Sequence, residues 1–310
     1  MSIVSSKTCH HHFAKENVMK KSSDGRVQTR EGASVSRRKF LERTMATSGA
    51  ALITATVTGG ALAQESKPTA ASNQAQAKMV TLMGEMVEYK SNDLMIPAYL
   101  SRAKQKKSPC VLLIHEVFGL NDHIKSIADR LAREGFNTLA PNLFVRASEP
   151  PKDASDMAAL RRAASSIPNE VAIKDMQAGL DYLKTLKNVR QRFASIGFCM
   201  GGGFSYQIAT HTTDLAGAAI FYGRTPLELV PQVSCPLLCS FGALDSGIPP
   251  ETVKAFEEAL SKAGKKADIK IYPNAKHGFF NDTRPEAYNT EAAADAWQRV
   301  LRFFRDRLKA

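Results

Sequence analysis

The 310-residue sequence contains no internal repeat, no coiled-coil heptad run and no second region of core-like periodicity, which excludes solenoids and rods and leaves one folded domain. It has no strong excess of one charge where the fold must lie. Of the formal net charge of +12, +6 comes from residues 1–63, and the remaining +6 is spread over interspersed signs. Such a mildly basic chain argues against a dedicated nucleic-acid or stable membrane surface and favours small-molecule chemistry. Cysteine is sparse, at five residues. Cys110, Cys235 and Cys239 fall in apolar strand-like runs, where free cysteine behaves as a small buried hydrophobe. Cys235 and Cys239, four apart on one strand, would stand about 13 Å apart, too far for a disulfide. That leaves Cys199 for chemistry.

A long apolar run is also missing. Residues 44–64 are uncharged but rich in Ala, Thr and Gly, better suited to the weak apolar stretch of a signal than to a bilayer span. Ser36-Arg37-Arg38-Lys39-Phe40-Leu41 precedes them in the form of a twin-arginine address, and Ala61-Leu62-Ala63 supplies a small-residue cleavage site. These cues predict export to the bacterial periplasm, with the Tat translocase as a transient partner and residues 1–63 removed. Cys9-His10-His11-His12 is read as part of an unstructured leader, and Met19 is an alternative start.

A linker is expected over 64–78 and a catalytic domain over 79–310. Alternating segments at 82–90 and 94–100 around Ser91-Asn92-Asp93 read as a β-hairpin. Unbroken apolar runs follow at 111–114, 136–140, 194–198, 216–222, 236–241 and 269–272, as expected of parallel strands buried on both faces. Helical patterns at 122–133, 171–186, 202–210, 252–263 and 292–308 lie among them. The alternation predicts an α/β fold, a doubly wound, mostly parallel sheet flanked by helices, whose ligands bind beyond the strand carboxyl ends.

Gly197-Phe198-Cys199-Met200-Gly201-Gly202-Gly203 sits between a strand and a helix and reads as a nucleophile elbow with cysteine in place of serine. Its glycines permit a tight turn and close helix packing, and the helix N-terminus favours a thiolate. The plainer alternative is a glycine-rich turn holding a buried thiol. A nucleotide loop is not supported, because the glycine spacing is wrong and there is no Walker lysine. Asp245 and His277 each follow a strand end. Singly they read as a helix cap and a turn residue, but together with Cys199 they give the order nucleophile, acid, histidine. His277 would then be the base and Asp245 its orienting group. The loop His115-Glu116-Val117-Phe118-Gly119 should add an oxyanion donor, so that the backbone N–H groups of Val117 and Met200 hold the developing charge. His115 reads as a packed, hydrogen-bonded histidine.

The elbow, the Glu116 loop, Asp245 and His277 together resemble the dienelactone hydrolase, or carboxymethylenebutenolidase, family over residues 79–308. The resemblance implies the α/β-hydrolase fold, a Cys199, Asp245, His277 triad with a thioester intermediate, and a Glu116 that contacts the resting cysteine. It also implies that Arg146 binds a substrate carboxylate and that Tyr222 stands near the pocket. The family's second arginine, four residues past the histidine, is replaced by Asn281, and the nearby Arg284 is the candidate to bind substrate in its stead. The expected substrate is a small ester or lactone, and no metal or organic cofactor is implied. A generic carboxylesterase or thioesterase without lactone preference is the alternative, and a binding or redox protein on the same scaffold is a further one.

Overall fold

Period-two alternation and a two-residue turn build the first unit. β1 (Glu85–Ser91) and β2 (Leu94–Ser101) pair antiparallel, joined by Asn92-Asp93, with Asn92 at φ 50°, the left-handed conformation a tight hairpin turn requires. The computed structural model describes residues 82–150, 153 and 155–309; the expected signal, linker and Cys9 tract lie outside them.

After the hairpin, strands and helices alternate. β3 (Ser108–Ile114) leads to α1 (Asp122–Arg133), β4 (Asn137–Pro141), α2 (Met157–Ser165), α3 (Asn169–Thr185) and β5 (Val189–Phe198). Then come α4 (Met200–His211), β6 (Leu215–Phe221), β7 (Leu237–Gly242), α5 (Pro250–Lys262), β8 (Ala267–Tyr272) and α6 (Thr290–Arg307). The eight strands stand in the order β1-β2-β4-β3-β5-β6-β7-β8, parallel from β4 to β8 and antiparallel on both sides of β2. This is the doubly wound, mostly parallel sheet that the sequence predicts, and with β3, β5, β6, β7 and β8 parallel their carboxyl ends share one rim.

Both faces of the sheet are covered. Along β3, Cys110, Leu112 and Ile114 join one apolar layer while Val111 and Leu113 join the other, as the strand period demands. Helices α2 to α5 pack on the first layer, through residues such as Met176, Ile208 and Phe256; α1 and α6 pack on the second, through Ile127, Val300 and Phe304. Cys110, Cys235 and Cys239 are buried free thiols. No helix among the described residues is long and apolar enough to cross a membrane.

One element departs from expectation. Helix α2 has no counterpart among the helical patterns of the sequence, because only Leu160 and Ala163 of its nine residues are buried and so short a stretch carries no clear period. Its start is fixed instead by a cap, the Asp156 carboxylate accepting from the N–H groups of Ala158 and Ala159 at 2.9 Å. α2 matters because its other face turns toward the rim where the strands end.

Candidate active site

Cys199 occupies the turn between β5 and α4 at φ 54°, ψ −117°, a conformation costly for any residue bearing a Cβ. The close packing around the turn explains how that strain is held. A Cβ on Gly197 would lie 1.9 Å from the carbonyl oxygen of Gly201, and one on Gly201 would lie 2.3 Å from that of Ile114. The first turn of α4 is thus wedged between β5 and the end of β3, and the Cys199 N–H is tied to Phe221 of β6 at 3.0 Å. The side chain emerges half-buried into a cavity of about 860 Å³.

His277 and Asp245 meet there. The imidazole Nδ1 lies 2.7 Å from Asp245 Oδ2, while Asp245 Oδ1 accepts from the N–H groups of Gly247 and Ile248 at 2.8 and 3.1 Å. The carboxylate is therefore fixed from both sides, and the Cys199 side chain shares the cavity with the His277 ring. Burial disfavours the imidazolium, but the hydrogen bond to Asp245 and the influence of the nearby Cys199 outweigh it and raise the His277 pKa to about 10. Burial likewise works against the Asp245 charge, yet its partner His277 and the two loop N–H groups bring its pKa below the usual value. Val117 and Met200 both line the cavity, and among the described residues the N–H of neither has a protein acceptor.

His115 braces the Val117 loop. Its Nδ1 meets the Glu116 carbonyl at 2.7 Å and its Nε2 accepts from the Leu143 N–H at 3.1 Å, which fixes one neutral tautomer. Burial lowers its pKa to about 4, consistent with a neutral structural ring.

Glu116 is placed differently from what the family resemblance implies. Its Oε2 accepts from Asn281 Nδ2 at 2.6 Å and its Oε1 from the Tyr222 hydroxyl at 3.3 Å; no hydrogen bond joins it to Cys199 among the described residues. The carboxylate is held instead by donors from the loop after β8 and from the end of β6. Burial raises the Glu116 pKa, against the opposing effects of Asn281 and the nearby His277. Tyr222 lines the cavity at a strained φ of 37°, with its ring centroid 5.1 Å from that of His277.

The two arginines expected at the substrate are not there. Arg146 donates from Nε and Nη2 to the two oxygens of Asp175 at 2.9 Å each, from Nη1 to Asp93 at 3.1 Å and from Nη2 to the Ser91 carbonyl at 3.2 Å. It is a clamp between the β1–β2 turn and α3, with no donor fork left for a ligand. Arg284 pairs with Glu286 at 2.6 Å and lies over the Phe118 ring, outside the cavity wall. Because the Asp175 side chain is wholly buried, Arg146→Met should destabilise the domain by about 3 kcal/mol or more in a urea titration, mainly by orphaning that carboxylate.

The wall instead holds Arg161 of α2 and Arg224 of the loop after β6, together with Phe204, Gln207 and Ile248. Sequence reasoning missed these residues. Arg161 lies on a helix that leaves no periodic signal, and nothing marks Arg224 except its place just past a strand end. No group of three or more His, Cys, Asp or Glu among the described residues is arranged to hold a metal ion.

The model of one family, described as the dienelactone hydrolase family, matches residues 96–308. A curated relative from Saccharolobus solfataricus, named as a candidate carboxymethylenebutenolidase, is 35% identical over 263 residues, covering 72% of this chain and 98% of its own. A similarly named protein of Methylorubrum extorquens is 31% identical over 267 residues, covering 82% and 91%. Among solved structures, a candidate dienelactone hydrolase from Klebsiella pneumoniae is similar with a TM-score of 0.69 at 28% identity, over 73% of this chain and 99% of its own.

Proposed function

Because the chain belongs to the dienelactone hydrolase family and is a hydrolase acting on esters, we propose that it cleaves small esters or lactones through a thioester on Cys199, with His277 and Asp245 completing the triad. The observation that carries this reading is the sulfur raised on a strained turn into the same cavity as an imidazole that Asp245 holds from behind.

In the proposed reaction the Cys199 thiolate attacks the carbonyl carbon, forming a C–S bond as the carbonyl electrons move onto oxygen. The N–H groups of Val117 and Met200 receive that oxyanion, a contribution of about 10² to 10³ in rate for each such donor. The tetrahedral species collapses, the C–O bond breaks and the leaving oxygen takes the His277 proton. Neutral His277 then removes a proton from water, which attacks the thioester. The C–S bond breaks and the thiolate and imidazolium are restored.

A His277 pKa of about 10 implies that the ring carries the proton it must donate throughout the neutral range. kcat/KM should therefore fall as pH rises through about 10, not climb through 6.5. The matching stability term is fully present below pH 6.5 and is lost as pH rises through about 10. Asp245→Asn, which removes the first of the raising contacts, should move the alkaline limb of the pH–rate profile toward neutrality.

The direct test is acid quenching of the enzyme during turnover of 4-nitrophenyl acetate, followed by mass analysis. An acetyl group on the peptide containing Cys199, removed by neutral hydroxylamine, is the expected result. Acetyl on another residue, or turnover without any adduct and unaffected by thiol alkylation, would sink the mechanism. One observation favours a preference unlike that of dienelactone hydrolysis. The arginine matched to the family's carboxylate binder is spent in the Arg146 clamp, and Asn281 is bonded to Glu116.

A further inference from the structure

The cavity at Cys199 has a charge pattern that the triad does not explain. Three basic groups reach its wall, His277, Arg161 and Arg224, against one carboxylate, Asp245, which is already committed to His277 and two backbone N–H groups. Arg161 and Arg224 are exposed and, among the described residues, make no hydrogen bond or ion pair. This contrasts with Arg146, Arg284 and Arg299, each held by a carboxylate. Two unengaged guanidinium groups from separate elements, α2 and the loop after β6, line one cavity. Planar forks of this kind suit a carboxylate.

Size adds a second constraint. About 860 Å³ lies near the upper end of the roughly 300–1,000 Å³ usual for small-molecule sites, more than a small lactone fills. Phe204, Met200, Pro226 and Ile248 supply apolar wall alongside the two arginines. The space therefore fits a molecule with an apolar body between its scissile carbonyl and its charge.

We propose that Arg161 and Arg224 form a carboxylate subsite, and that the preferred substrate is an extended ester whose acyl part ends in a carboxylate. This rests on the reading of Cys199 as the nucleophile. It places substrate recognition on α2 and the β6 loop, at neither of the positions to which the family resemblance assigned it.

The experiment compares 4-nitrophenyl hydrogen adipate and suberate with the neutral 4-nitrophenyl hexanoate and octanoate. The wild-type enzyme should favour each anionic ester over its neutral partner by about tenfold or more in kcat/KM, as charge-assisted hydrogen bonds allow. The preference should shrink as salt is added. In the Arg161→Gln, Arg224→Gln double variant the ratio should fall to within about twofold of unity, chiefly through KM for the anionic ester. Both positions are exposed, so an unchanged melting curve is expected and separates recognition from folding. No anionic preference in the wild type, or a preference that survives the double substitution, would overturn the subsite. Failure to turn over any of the four esters would instead overturn the nucleophile assignment beneath it.

Discussion

Cys199→Ala should lower kcat/KM on 4-nitrophenyl acetate by about 10⁴-fold or more, with loss of the acid-stable acetyl adduct. The size of the drop follows from what the substitution leaves behind. Val117 and Met200 still offer N–H groups, and His277 still holds its place on Asp245, so the substrate is bound and polarised. What disappears is the atom proposed to divide one difficult displacement into two easier ones. The same position gives an internal control. Alanine keeps a Cβ at φ 54°, so its backbone strain is that of the parent, whereas Cys199→Gly relieves it. The glycine variant should be as inactive as the alanine one and melt at a higher temperature. Equal melting temperatures for the two would remove the claim that the elbow stores strain, and retained activity in either would move the nucleophile elsewhere.

Gly197→Ala should be the most damaging single-methyl change in the domain, costing about 4 kcal/mol or more and, for a domain of this size, lowering Tm by about 10 °C or more. The added carbon would stand 1.9 Å from the Gly201 carbonyl oxygen and 2.8 Å from the Gly202 nitrogen, both backbone atoms that no rotamer change can move. Relief requires α4 to slide off β5, which carries Met200 and the elbow away from the Val117 loop. Stability and ester turnover should therefore fall together. Gly264→Ala is the useful contrast. It sits at φ 65° and an added methyl would meet no atom within 4 Å, so its cost should be confined to conformation, about 1 kcal/mol, with turnover intact. A Gly197→Ala variant as stable as the Gly264→Ala one would show that the turn is more accommodating than its packing implies.

The parts of this architecture that were legible in the sequence are those written by short-range rules. The Asn92-Asp93 hairpin, the buried strands and the order of elbow, acid and histidine depend on period, turn chemistry and neighbours, and a few adjacent residues carry each signal. α1 runs over the residues its periodicity suggests because Asn121 caps it and Gly135 follows its end at φ 96°. Partnerships across long separations were not legible. Arg146 and Asp175 are 29 residues apart and Arg146 and Asp93 are 53 apart, so nothing local reveals that the guanidinium is occupied. Glu116 meets Asn281 across 165 residues, and only the folded chain shows which of its possible contacts it makes. A motif fixes where a side chain begins; its competing partners decide whether it is free to act.

The cap on α2 carries a consequence for how this enzyme could diversify. The helix contributes Leu160 and Ala163 to the core, stands on a single Asp156 cap, and places Arg161, Ala164 and Ser165 on the cavity wall. The proposed triad, by contrast, hangs from β5, β7 and β8 in the middle and far side of the sheet. On the proposed assignments, recognition and chemistry thus occupy separate parts of the scaffold. A lineage, or a designer, could exchange the nine residues of α2 as a cassette and retarget the enzyme, while the strained turn that carries Cys199 is left untouched.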